Sequence, residues 1–192
     1  MEDITKVFGI LAGLFSIAAY VPYIRSILKG ETKPNRASWS IWTVVSMIIA
    51  VSYYAAGARE TMWVIIAYVF GSSTISLLSI RHGEGGWTPF DRTCVYIAGA
   101  SLVLWGIFSS ALIALFMNTL VDFSASMPTI RKAYHNPKGE NRTAWVLFFL
   151  GSVLNVFAIR EWTFVVAFYP VAMIIIIGLI TGLLFRPQTK SI

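Results

Sequence analysis

Ala18-Ala19-Tyr20-Val21-Pro22-Tyr23-Ile24-Arg25 returns 106 residues later as Ser124-Ala125-Ser126-Met127-Pro128-Thr129-Ile130-Arg131. Downstream of each arginine the match continues: Asn35, Arg36 and Trp39 fall on Asn141, Arg142 and Trp145. Leu14 also falls on Leu120 and Ser46 on Ser152, which makes nine identities over the 39 positions from Leu14 to Ser52. Average residue usage gives about two or three by chance. The identities include Pro, Arg, Asn and Trp, so shared hydrophobicity does not explain them. Further on the offset falls to 101, where Arg59-Glu60, Val64 and Tyr68 meet Arg160-Glu161, Val165 and Tyr169. The chain is an internal duplication whose second copy is five residues shorter, 106 against 101.

Composition says what is duplicated. Of 192 residues, 57% are hydrophobic and 12% charged, with mean hydropathy +0.71. Soluble domains carry about 25% charged residues. So few charges cannot cover a water-facing surface, and lipid is the expected solvent. A bilayer core needs roughly 20 apolar residues per helix. Hydropathy predicts seven such helices: Ile4–Leu28, Ser38–Ala56, Glu60–Ile80, Thr93–Phe108, Ser110–Tyr134, Thr143–Ile159 and Glu161–Phe185. The turn at Gly57-Ala58-Arg59 separates helices two and three, and Ser109-Ser110 weakly separates four and five. The repeat fixes that last boundary, since helix five must start where helix one does.

The expected fold is all-α and integral to the membrane: two parallel three-helix bundles plus a linker helix, in a 3+1+3 order. Residues 1–80 form the first repeat, 81–109 the loop and linker helix, 110–186 the second repeat, and 187–192 a cytoplasmic tail. Three helices per copy is an odd number. The linker helix restores the orientation, so the copies are related by an axis along the membrane normal. Lys6, Arg59 and Arg160 lie on the N-terminal side, and the other 12 of 15 basic residues lie on the opposite side. That split places the N-terminus outside and the C-terminus in the cytoplasm of a plasma or bacterial inner membrane. The net charge of +6 is therefore a topology signal and not a nucleic-acid patch. The acidic start Met1-Glu2-Asp3 lacks the basic region of a cleaved signal peptide.

Pro22 and Pro128 each remove a helical hydrogen bond at matching depth, as hinges or as static bends. Arg25 and Arg131 are expected to snorkel to headgroups, with Trp39 and Trp145 as interfacial anchors. Together with Asn35, Arg36, Asn141 and Arg142 they form the repeated cytoplasmic motif. Asp122 is a lone carboxylate near the middle of helix five, where charge is expensive and so faces a partner or cavity. Asn118, Asp122 and Ser126 share one helix face. With Asn155, Ser16 and Ser76 they are the candidate lining of a polar midplane site for a solute or proton. The bland alternative is that these groups hydrogen-bond between helices. Gly83-Glu84-Gly85-Gly86 reads as a flexible linker. His82 and His135 lie in loops without metal-ligand spacing, Cys94 is the only cysteine, and helix seven has no lysine for a Schiff base, so no metal or cofactor is implied.

The Pro-bearing segments, the duplication and the 3+1+3 order resemble the PQ-loop proteins of the SWEET and MtN3/saliva type. The resemblance covers the whole chain. Tyr23 and Thr129 stand where the family has the glutamine of its Pro-Gln motif, and helices two and six lack the family's prolines. What the resemblance implies is a secondary transporter or facilitator, not an enzyme, moving a small polar solute by alternating access between the bundles. Asp122 would serve as the proton or cation site if transport is coupled. The alternative on the same fold is a non-transporting receptor, similar to the KDEL receptor, that uses Arg36, Arg142 and Lys138 against a partner or anionic lipid. The partners implied are the solute, the bilayer and a coupling proton. A homo-oligomer stays open.

Overall fold

The computed structural model describes residues 2–55, 62–85, 88–107, 111–159 and 162–187. Among these are seven α-helices and no strand: α1 (Glu2–Leu28), α2 (Arg36–Ala55), α3 (Met62–His82), α4 (Pro89–Ile107), α5 (Ala111–His135), α6 (Arg142–Phe157) and α7 (Phe164–Leu184). A short 3-10 helix, Pro137–Gly139, lies between α5 and α6. The expected breaks at 57–59 and 109–110 lie outside the described residues. Both α1 and α5 run through their prolines, and α7 carries a third, Pro170, that has no counterpart in the first copy.

Helix starts are set by local chemistry. Asn35 and Asn141 cap α2 and α6: each side-chain oxygen accepts the backbone N–H three residues on, of Ser38 at 3.1 Å and of Ala144 at 2.8 Å. The linker helix starts four residues before the expected Thr93. The reason is a capping box: Thr88 Oγ1 accepts from Asp91 N at 3.2 Å, Asp91 Oδ2 accepts from Thr88 N at 3.1 Å, and Pro89 fills the first helical position.

The helices close a ring. Neighbours around it are α1, α3, α2, α5, α7 and α6, with α6 returning to α1. Exchanging α1, α2 and α3 with α5, α6 and α7 maps this set of neighbours onto itself. The linker helix α4 sits outside, against α5 and α2. Near the C-terminus of α1, the Tyr23 hydroxyl donates to Glu140, just beyond α5, and Thr129 of α5 donates to Ser38 at the start of α2. The two proline helices therefore end at the same end of the ring.

Polarity is inverted relative to a water-soluble fold. Phe70, Leu77, Ile80, Tyr96, Ile107 and Ile175 are each at least 64% exposed. Ser38, Ser126, Thr129, Asp122, Lys132 and Glu140 are buried. By length and composition, two described stretches could cross a membrane, Ile4–Leu28 and Ala167–Leu184.

Candidate functional site

The shared end of the ring is filled by side chains of both copies. Tyr23, Trp39, Ile75, Trp145, Ile176 and Ile180 form its buried core. Across it the aromatic rings touch in sequence. Tyr20 meets Phe148 at 5.3 Å, Tyr23 meets Trp39 at 5.1 Å, Trp39 meets Trp42 at 5.1 Å, and Trp42 meets Trp145 at 6.4 Å. The Tyr20–Phe148 and Trp39–Trp42 contacts are edge-on, which suits the ring quadrupoles, and the other two are tilted. Trp39 and Trp145 are 3% exposed, so they are core residues and not interfacial anchors. Their indole N–H groups have acceptors inside the protein: Trp39 Nε1 donates to Tyr23 Oη at 3.2 Å and Trp145 Nε1 to Glu140 Oε2 at 2.9 Å.

Glu140 is the acceptor that organises this end. Its carboxylate takes the Tyr23 hydroxyl at 2.6 Å, the Trp145 indole at 2.9 Å and the Lys132 ammonium at 2.7 Å. Its side chain has no solvent exposure and that of Lys132 has 5%. Lys132 also donates to Gly139 O at 2.9 Å and to Lys33 O, and stands 3.6 Å from Glu84 Oε1. A buried charge persists only when paired and hydrogen-bonded, and both conditions hold here.

Of the flexible linker expected after α3, the described part, Gly83-Glu84-Gly85, is held by hydrogen bonds to its neighbours. Glu84 N donates to Pro34 O at 3.0 Å and Arg36 N to Glu84 O at 3.2 Å. At Gly83 a Cβ would lie 2.3 Å from Ser79 O and 2.7 Å from Pro34 O, so the backbones meet only because no side chain intervenes. Arg36 secures the same junction, donating to Ser79 O at 2.9 Å and Gly85 O at 3.1 Å. The other motif arginines face outward. Arg25 is exposed, Arg131 lies 5.0 Å over the Phe90 ring and Arg142 5.3 Å over Phe185.

Deeper in the ring, the duplication places two matching pairs. Tyr169 of α7 donates its hydroxyl to Asp122 Oδ2 of α5 at 2.7 Å. Ser16 of α1 lies beside the hydroxyl of Tyr68 on α3. Tyr68 is the counterpart of Tyr169, and Ser16 that of Asp122. The duplication thus sets a hydroxyl beside one tyrosine and a carboxylate beside the other.

The six expected lining residues are spread over several places. Asp122 is buried against α7, and Ser126 closes on its own helix, donating to Asp122 O at 2.7 Å. Ser16 packs at the α1–α6 seam, where a Cβ on Gly151 would lie 2.6 Å from its Oγ. Ser76 lies 3.5 Å from Ser40 on α2, and Asn155 is exposed. The side chain of Asn118 lies outside the described residues. Several of the serines bond carbonyls one turn back, as Ser72, Ser79 and Ser152 do. A small hydroxyl away from water satisfies itself locally first.

Two apolar grooves lie on the outside. One is lined by Phe116, Phe123, Phe168 and Ile175, the other by Gly9, Ile10, Gly13 and Ala158, and neither reaches Asp122. Sequence reasoning missed Lys132, Glu140, Tyr23 and Glu84 as a cluster. The duplication held the signal: Lys132 stands opposite Ser26 and Glu140 opposite Pro34, so the second copy gained a charge pair that the first lacks. Comparison with known proteins finds no matching family model, no matching curated protein and no matching solved structure.

Proposed function

We propose that the chain is a membrane carrier for a small polar solute, built as two parallel three-helix bundles around a common axis, with α4 as the linker. The observation that carries the reading is the plug at one end of the ring. Tyr20, Tyr23 and Trp42 of the first copy lock against Glu140, Trp145 and Phe148 of the second. A seam between two equivalent halves, closed at one end by side chains of both, is what a rocking-bundle carrier needs. The inverted polarity of the surface supports lipid as the solvent for all seven helices.

In this reading the plugged end faces the cytoplasm, because 12 of the 15 basic residues are on that side. Pro22 and Pro128, one residue before Tyr23 and Thr129, are the hinges that let the end open. Asp122 is the one carboxylate of the paired tyrosine sites and takes the coupling proton or a solute donor. The likeness to PQ-loop carriers of the SWEET type belongs to the same proposal.

A receptor is the second reading, favoured by the outward-facing arginines and lysines of the basic end. Arg36 is used internally, so such a surface would rest on Arg142 and Lys138. A thermal-shift screen of the purified protein against sugars, amino acids, vitamins and nucleosides tests the carrier. A substrate must raise the unfolding midpoint by mass action. A flat response across all four classes would sink the proposal.

A further inference from the structure

We propose that Lys132 is the latch of the plugged end, one ammonium that ties the loops of both copies and of the linker and so decides whether that mouth is shut. The idea rests on the carrier reading for its purpose, but its physical content stands on the loops alone.

The two lips of the mouth are the α1–α2 loop and the α5–α6 loop. They are joined by a backbone bond from Lys33 N to Gly139 O at 3.0 Å. Lys132 covers this stitch, donating to both lips through Lys33 O and Gly139 O. Its charge is balanced by Glu140 at 2.7 Å and faced by Glu84 at 3.6 Å, the latter on the loop leading to α4. Three loops distant in sequence thus share one cation. Glu140 passes the tie inward, since it also holds Tyr23 of the first copy and Trp145 of the second.

The first copy has no such device. Ser26, the counterpart of Lys132, donates to Tyr23 O at 3.0 Å and Thr32 Oγ1 at 2.7 Å, and its carbonyl accepts from Glu31 N and Thr32 N. That loop closes on itself with neutral bonds. The second copy's loop is closed by a charge that reaches across the seam. A symmetric carrier would open equally well at either copy's loop. Here opening requires one ammonium to leave the Lys33 carbonyl and the Glu84 carboxylate together, so the mouth opens as a unit.

The test is thiol labelling at Ser38, a buried residue beneath the lips. A Cys94→Ser, Ser38→Cys protein in nanodiscs is treated with a water-soluble maleimide. Both faces are accessible and no solute is added, so neither topology nor transport enters the readout. The latch predicts slow labelling in this parent. Lys132→Met and Glu140→Gln should each raise the rate at least tenfold, and Glu84→Gln, at the rim, two- to threefold. Lys132→Met combined with Glu140→Met leaves no fully buried charge unpaired, yet should label as fast as Lys132→Met. Parent-like labelling in the single variants overturns the latch. So does a return to the parent rate in the double variant, because the pair would then serve only to neutralise itself. If the core variants lose cooperative unfolding, Glu84→Gln decides, and an unchanged rate there overturns the proposal. Failure of the carrier reading shows elsewhere, as the absence of any solute that binds or crosses.

Discussion

Tyr169→Phe and Tyr68→Phe delete the same atom at equivalent positions of the two copies, and the duplication predicts unequal costs. Tyr169 donates at 2.7 Å to a buried carboxylate, whereas Tyr68 has the neutral hydroxyl of Ser16 as its neighbour. A hydrogen bond to a charged group contributes about 1.5–3 kcal/mol and a neutral one about 0.5–1.5 kcal/mol. The expected difference is therefore about 1 kcal/mol, with Tyr169→Phe the more damaging. At roughly 2–4 °C per kcal/mol for a chain of this size, Tyr169→Phe should lower the midpoint by about 4–8 °C and Tyr68→Phe by about 2–4 °C. The assay is thermal unfolding in detergent of the parent, both single variants, Asp122→Asn and Asp122→Asn/Tyr169→Phe. Asparagine keeps the shape and removes the charge, so the second deletion should cost about 1 kcal/mol less in that background. Equal losses at the two tyrosines, with no coupling between Tyr169 and Asp122, would refute the assignment of Asp122 as the charged member of the pair.

Three other outcomes are expected. Gly151→Ala should lower the unfolding midpoint through about 1–3 kcal/mol of overpacking, because the new Cβ would lie 2.6 Å from Ser16 Oγ and 3.1 Å from Ala12 O at the α1–α6 seam. Thermal unfolding measures it, and an unchanged midpoint would mean α1 and α6 are not in contact. Asn35→Ala and Asn141→Ala should each cost about 1 kcal/mol by uncapping α2 and α6, whereas Asn136→Ala, which makes no side-chain cap, should cost less, as read by denaturant titration. A cysteine at exposed Lys138, in a Cys94→Ser background, should resist an impermeant thiol reagent in intact cells and react in inverted vesicles; labelling in intact cells would reverse the topology. Gly139 is unsuited to that probe, since a Cβ there would press on Lys132 Cε at 3.2 Å.

Much of the fold was legible because one duplicated pattern constrains many residues at once. The ends of α1, α2 and α3 fall within a few residues of the hydropathy reading, and the asparagines of the repeated motif proved to be helix caps. The two offsets, 106 for the first helix and 101 for the third, make Ser16 the counterpart of Asp122 and Tyr68 that of Tyr169, but the Tyr169–Asp122 contact itself appears only in the structure. What was not legible depends on where a side chain finds its partner. Trp39 and Trp145 stand near helix starts, where tryptophan commonly marks a membrane interface, but acceptors inside the ring drew them into the core. Lys132 was one more basic residue in a count of 15 until Glu140 and the two loop carbonyls were placed around it. Glu84 lay between glycines that suggested a flexible linker, although those glycines permit the close approach of Pro34. The serines aligned on helix faces, but several bond their own backbone, so shared periodicity did not make a shared cavity.

Solute counterflow in proteoliposomes tests the carrier most directly. The purified protein is reconstituted with an unlabelled solute that raises its unfolding midpoint, and entry of the labelled solute is followed. The account predicts accumulation against protein-free vesicles and its loss in Asp122→Asn. A solute that stabilises the protein but never crosses would contradict transport and leave the receptor.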